Sequence, residues 1–286
     1  LLAVDLNGDG IPDLLASVTN DGGATGTVLA FLGNGDGTFR QTSSIAIPGA
    51  ASMTAGDFNG DGKLDFALTG NLLAFGNGDG TFQTPAPFLD SPAYLSSIAA
   101  GDLNGDGFSD LVLSASSPAN SVYVLINNQH GGFTQSVIDL PDPGQIVFAD
   151  LNGDGKLDAM IADVVLGGAY IYIGDGQGGL TFKESLKGFD YFSGEIMVAD
   201  LNGDGVPDIA ITDLGSVAIF LGDGDAEYEP PFYVGVGLAP SLLAANVHGQ
   251  SPAAGLPDIV SPDGTGGVLV LINTTQKATQ ANFTVQ

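Results

Sequence analysis

Five copies of one nine-residue acidic loop recur along this 286-residue chain, and their spacing limits what it can fold into. The first is Asp5-Leu6-Asn7-Gly8-Asp9-Gly10-Ile11-Pro12-Asp13; the others start at Asp57, Asp102, Asp150 and Asp200. Each keeps Asp-x-Asn-Gly-Asp-Gly-x-x-Asp, and an eroded sixth copy runs from Asn246 to Asp258. Successive starts lie 52, 45, 48, 50 and 46 residues apart. A period in that range marks repeated supersecondary units rather than one irregular fold.

Each period reads as four short strands. In the fourth repeat the apolar or aromatic-rich runs are 145–149, 157–162, 169–173 and 180–185, bounded by Gly, Asp, Asn or Pro. No window holds a helical period for three turns, so the runs form an antiparallel meander. The third runs, such as Val122 to Ile126 and Val217 to Leu221, are apolar throughout and predict burial on both faces of the sheet. Four-stranded units of this length, stacked face to face, are blades of an all-β propeller. Six repeats predict six blades in one domain over residues 1–286, with seven blades as the alternative. The blades are expected at 1–49, 50–94, 95–142, 143–192, 193–238 and 239–286.

The loop has the chemistry of a hard-cation site. Ca²⁺ takes oxygen ligands in a flexible cage, whereas Mg²⁺ demands rigid octahedral geometry and fits less well. Positions 1, 3, 5 and 9 offer side-chain oxygen: Asp5, Asn7, Asp9 and Asp13; Asp57, Asn59, Asp61 and Asp65; Asp102, Asn104, Asp106 and Asp110; Asp150, Asn152, Asp154 and Asp158; Asp200, Asn202, Asp204 and Asp208. Position 7 varies among Ile11, Lys63, Phe108, Lys156 and Val206, as expected if only its backbone carbonyl takes part. Tight-turn chemistry would explain the glycines and one Asx, but not three Asp and one Asn at fixed places five times over. The spacing matches the first half of an EF-hand loop, yet flanking helices are missing. Five calcium ions are predicted. The sixth copy, with Asn246 and Gln250 in place of carboxylates, is predicted to be empty.

A second Gly-rich turn follows each third strand, clearest as Gly33-Asn34-Gly35-Asp36-Gly37-Thr38-Phe39 and Gly76-Asn77-Gly78-Asp79-Gly80-Thr81-Phe82. It reads as a hairpin whose aromatic residue packs between blades. Gly174-x-Gly176-x-x-Gly179 fits a dinucleotide-binding pattern but joins two strands and opens no helix. Together, the acidic loops and these turns resemble the FG-GAP/VCBS repeats of bacterial surface proteins and, more distantly, of the integrin α-subunit head. The resemblance implies a β-propeller, Ca²⁺ between strands 1 and 2, and an extracellular binding role.

Composition narrows the partners. Net charge is −27, with six Lys plus Arg against 33 Asp plus Glu, which repels nucleic acid and anionic membranes. Five divalent ions would bring the charge to about −17. Cys is absent, so disulfides and thiolate chemistry are excluded. No apolar run is long enough to span a bilayer, so no membrane insertion is expected. The start at Leu1-Leu2-Ala3-Val4 reads as trimmed or processed.

No catalytic constellation emerges. The two histidines, His130 and His248, fall in a hairpin and in the eroded loop, and the chain is expected not to be an enzyme. The expectation is a secreted or cell-surface binding and adhesion module. Extracellular Ca²⁺ modules bind at roughly 10⁻⁴–10⁻³ M, which suits that location. Its partner would be an extracellular protein or glycan, or like subunits. The variable loops opposite the ion loops supply the candidate ligand residues: Asp90, Tyr94, Asp142, Asp190, Tyr191, Phe192 and Glu195. A self-associating structural module and a polysaccharide-active propeller are the alternatives. Asn273-Thr274-Thr275 and Asn282-Phe283-Thr284 also fit glycosylation sequons.

Overall fold

The computed structural model describes residues 1–20, 25–49, 51–90, 94–116, 118–129, 132–165, 168–187, 195–213, 215–235, 241–247, 256–262, 267–275 and 281–285. Among these, every regular element is a strand, and the strands form six antiparallel sheets of the β-propeller class. No helix among the described residues is long and apolar enough to cross a membrane. The chain divides into two compact units, Leu1–Ile146 and Val147–Gln286.

The first unit holds three sheets. β1 (Leu2–Val4), β2 (Asp13–Asn20), β3 (Thr25–Gly33) and β4 (Phe39–Ile47) pair in chain order. β5 (Met53–Gly56), β6 (Asp65–Leu68) and β7 (Leu72–Ala74) form a three-stranded sheet. Its fourth strand is reduced to isolated bridges, Leu73 with Ala86 and Gly76 with Phe82. Pro85 and Pro87 lie in that segment, and a proline has no N–H to give the ladder. β8 (Leu95–Gly101), β9 (Asp110–Ala115), β10 (Ser121–Asn127) and β11 (Phe133–Asp139) complete the unit. One apolar cluster joins the first two sheets through Leu15, Val28, Phe66 and Leu68. A second joins the next two through Phe58, Ala67, Leu111, Leu113 and Leu125.

The second unit repeats the plan. Its sheets are β12 (Pro143–Ala149), β13 (Asp158–Asp163), β14 (Gly168–Gly174) and β15 (Leu180–Leu186); β16 (Ile196–Ala199), β17 (Asp208–Asp213), β18 (Ser216–Phe220) and β19 (Phe232–Gly235); and β20 (Leu243–Ala245), β21 (Asp258–Pro262), β22 (Val268–Asn273) and β23 (Phe283–Val285). β12 begins four residues before the division between the units. Met160, Ile171, Ile209, Ile211 and Phe220 link the first two of these sheets, and Ala210, Ile219, Ile259 and Leu271 link the last two. Each fully buried Leu, Ile or Phe in these clusters contributes about 1.5–3 kcal/mol.

Two-face burial was expected on the third strands; Val217 to Leu221 is buried throughout as expected, while elsewhere several second strands, though not β2, carry it more completely. Every residue of β6, β9 and β13 is buried, whereas β3 alternates and β10 and β14 keep half-buried positions. In the four-stranded sheets second and third strands both have paired neighbours on each edge, and the second strand starts at the buried last aspartate of the acidic loop. The fourth strands β4, β11 and β15 are largely exposed. The hairpin aromatics divide accordingly. Phe82 packs edge-on against Phe66 with centroids 4.8 Å apart, and Phe133 and Tyr228 pack into the clusters. Phe39 and Phe182 remain 44% and 53% exposed, against the expectation that all would pack between blades.

Candidate metal centre

Each acidic loop joins the first strand of its sheet to the second. Its residue at position 2 anchors it: Leu6, Phe58, Leu103, Leu151 and Leu201 are all buried. Sequence reading passed over this position, although it is always a large apolar residue. Glycines at positions 4 and 6 take positive φ in all five loops (for example +74° at Gly60 and +78° at Gly62), which wraps the chain around the side chain at position 1.

That first carboxylate gathers the loop's backbone donors. Gly8 and Gly10 donate to Asp5 Oδ1 and Oδ2, each at 2.8 Å. Gly60 and Gly62 donate to Asp57, Gly105 and Gly107 to Asp102, and Gly203 and Gly205 to Asp200 at similar distances. Asp150 accepts from Asp154 and Gly155. The Gly10 N–H is the main reason that the Asp5 carboxyl lies below its ordinary value. At position 3, Asn7 Oδ1 accepts the Asp9 N–H at 3.1 Å, and its amide nitrogen donates to Asp9 Oδ2 at 2.9 Å. At position 5, Asp9 Oδ1 accepts the Ile11 N–H at 2.8 Å.

The last aspartate of the loop behaves differently. Asp13, Asp65, Asp110, Asp158 and Asp208 open the second strands and are completely buried. Each turns one oxygen to the position-2 N–H and the other to an N–H at the end of the third strand. Asp13 accepts from Leu6 and Gly33, both at 2.8 Å, and Asp65 from Phe58 at 2.9 Å and Gly76 at 2.8 Å. Asp110, Asp158 and Asp208 repeat the pattern. So does Asp258 in the eroded copy, with Val247 at 3.0 Å and Asn273 at 2.8 Å. A pattern kept where the other acidic residues are gone is a latch between loop and strand. The carboxylate at position 9 therefore has a structural role besides any part in cation binding.

Charge is concentrated where it is poorly solvated. Burial is the main cause that pushes Asp65 and Asp208 up to about 6, with Asp57 and Asp61, or Asp204 and Asp200, adding to it. Asp110 and Asp158 are raised for the same reason. Buried, mutually repelling carboxylates are the electrostatic condition that a divalent ion relieves. Among the described residues no three carboxylates lie close enough together to grip an ion, and the loop carboxylates accept backbone N–H groups, as Asp5, Asp9 and Asp13 do. The donor set is nonetheless all hard oxygen, and an accepted N–H leaves a carboxylate oxygen further lone pairs. The residues fit a hard cation in type, charge and backbone path.

The remaining candidates scatter. Asp90 lines a recess of about 350 Å³ with Phe88, Tyr123, Phe133 and Gln135. A neighbouring recess of about 360 Å³ shares Phe88 and Phe133 and adds Phe58, Phe75, Gln83 and Thr84. Tyr94 is 80% exposed. Asp142 sits half-buried at φ +41° before Pro143. Glu195 accepts the Leu242 N–H through Oε2 at 3.0 Å, which gives it a structural part. Asp190, Tyr191 and Phe192 lie outside the described residues, as do His130, His248 and most of the eroded loop. Asn273 corrects one sequon: it is fully buried, and its amide nitrogen donates to the Leu201 and Pro257 carbonyls at 2.8 and 3.1 Å, so the folded chain cannot present it for glycosylation.

A family model described as an FG-GAP-like repeat matches residues 5–68, 69–113, 102–161 and 150–211. No curated protein sequence matches the chain significantly. Among solved structures, an Agrocybe aegerita lectin in a study of specific recognition of non-reducing terminal N-acetylglucosamine is 20% identical, with a TM-score of 0.63 over 97% of this chain and 80% of that one. BBS1N, solved in complex with ARL6DN, is 12% identical, with a TM-score of 0.63 over 99% and 81%. A protein of unknown function from Desulfotomaculum acetoxidans is 13% identical, with a TM-score of 0.58 over 94% and 84%. At such identities these structures share the fold.

Proposed function

The chain belongs to the FG-GAP-like repeat family, and from that premise we propose that it is an extracellular binding module whose blades are braced by calcium. FG-GAP repeats generally bind calcium and serve structure and adhesion rather than catalysis. Five ions would be held by the oxygens of Asp5, Asn7, Asp9 and Asp13 and their counterparts in the other loops, with the position-7 backbone carbonyls. When bound, calcium would supply positive charge to these crowded carboxylates. The chain's own residues already set the frame. Position 2 anchors each loop in the core, and position 9 latches it to the third strand.

The observation that carries this reading is the recurrence of one loop geometry at the same place in five sheets, with a buried carboxylate at position 9 of each that neighbouring carboxylates crowd at Asp65 and Asp208. As a binder, the module would take a glycan or protein ligand through segments that vary between repeats. The aromatic recess beside Asp90 supports a ring-stacking ligand, and the likeness to a lectin fold supports a glycan. Residues 1–286 would form one propeller of six blades, at the boundaries expected from the repeats. A glycan and matrix-protein array, run with millimolar calcium and with excess EDTA, tests the reading. Calcium-dependent binding to a defined glycan or protein is expected, weakened by Asp90→Ala. An array silent in both conditions would contradict it.

A further inference from the structure

Position 7 is where the five loops differ most, and its side chain has a job that the sequence does not announce. In four loops it covers a glycine of the hairpin in its own sheet. Ile11 lies over Gly35, where an added Cβ would be 3.4 Å from Ile11 Cδ1, and Val206 lies over Gly224 at 3.7 Å by the same measure. The Lys63 and Lys156 stems cover Gly78 and Gly176 so closely that an added Cβ would be 2.9 and 2.8 Å from the lysine Cδ. Phe108 instead lies against Gly60 of the preceding loop.

Held by that packing, the two lysines end on a candidate calcium ligand. Lys63 Nζ lies 3.3 Å from Asp61 Oδ2, and Lys156 Nζ lies 3.2 Å from Asp154 Oδ2. Lys63 also lines a recess of about 290 Å³ with Asp5 and Asn7 of the first loop. A chain with only six Lys plus Arg places two of them at the same position of the same motif. We propose that Lys63 and Lys156 lower the calcium affinity of their own loops, so that the loops at Asp57 and Asp150 form a weaker class than those at Asp5, Asp102 and Asp200. The inference rests on the reading that these loops bind calcium. An ammonium beside the position-5 carboxylate already satisfies part of its charge, and an arriving dication must repel or displace it. Both partners are partly exposed, so the effect is moderate, roughly three- to tenfold in affinity.

The test is a calorimetric calcium titration of the chelator-stripped full chain, carried out on the wild type and on Lys63→Met, Lys156→Met, Lys63→Arg and Lys183→Met. Methionine keeps an unbranched stem over the hairpin glycine and removes the charge. Lys183 is the control, because it pairs at 3.3 Å with Glu227, which belongs to none of the acidic loops. The wild type is expected to titrate as three tighter and two weaker sites. Each of Lys63→Met and Lys156→Met should move one site into the tighter class, whereas Lys63→Arg and Lys183→Met should leave both classes unchanged. Five equivalent wild-type sites, or constants unchanged by both loop variants, would overturn the inference while leaving calcium binding intact. So would equal tightening by Lys183→Met, which would assign the effect to net charge. Absence of calcium heat in every protein would overturn the underlying reading as well.

Discussion

The aspartates of one loop do not do equal work. At position 9 the carboxylate is buried and satisfies two backbone N–H groups that would otherwise be orphaned inside the sheet. At position 5 of the second loop it is exposed and organises its own turn, Asp61 accepting the Lys63 N–H at 3.0 Å, although Asp106 in the third loop also accepts from the Gln129 side chain at 2.8 Å. A lost partner for a buried donor costs about 1–3 kcal/mol, so the two positions should respond differently to mutation. Asp258→Ala, in the eroded copy, is predicted to lower stability by roughly 2–4 kcal/mol in calcium and in EDTA alike. Asp61→Ala should change stability by less than about 0.5 kcal/mol in EDTA and lose about 1–2 kcal/mol in calcium. Urea unfolding midpoints in the two buffers measure both. If Asp258→Ala mattered only with calcium present, the latch would be wrong.

At the scale of the element, a blade is closed where its third strand ends. That residue is Gly33, Gly76, Gly174 or Gly222 in four sheets, and an added Cβ would meet the carbonyl of Pro12, Leu64, Leu157 or Pro207. In the other two sheets it is a buried asparagine that reaches outward. Asn127 donates to the Phe58 carbonyl of the preceding sheet at 2.8 Å and to Ser109 at 3.1 Å, and accepts from the Gln129 N–H at 2.9 Å. Asn273 makes the corresponding bonds to Leu201, Pro257 and Thr275. Asn127→Ala strips three bonds from a buried junction between sheets and should cost roughly 2–4 kcal/mol by urea unfolding. A cost within about 0.5 kcal/mol would show that the junction contributes nothing.

The strands and their order were legible in the sequence because short apolar runs alternate with Gly-rich acidic turns. In the fourth repeat the runs at 145–149, 157–162, 169–173 and 180–185 became β12 to β15 with shifts of at most two residues. The cation loop was legible because five copies repeat one spacing. The latch was hidden, since an aspartate that binds backbone and one that binds metal look alike in a motif. The tasks of Asn127, Asn273 and the position-7 side chains were hidden too, because they depend on neighbours about 15 to 70 residues away in the chain. The fourth strand of the second sheet was lost to Pro85 and Pro87, a local signal that could have been read.

For the molecule as a whole, the main liability is charge. A chain at −27 with two partly exposed loop ion pairs has little internal cation to offset its acids. A ligand that binds only the folded state stabilises it by RT ln(1 + [L]/Kd), about 1.4 kcal/mol per site at a tenfold excess, so five sites would give roughly 7 kcal/mol. At this chain length that corresponds to a shift of roughly 10–25 °C. The most direct measurement is therefore calorimetric melting of one preparation in millimolar calcium and in excess EDTA, with its calcium content determined beforehand. The predicted result is close to five calcium ions per chain and a melting temperature lower in EDTA by that margin. A preparation free of calcium that melts at the same temperature in both buffers would contradict the account.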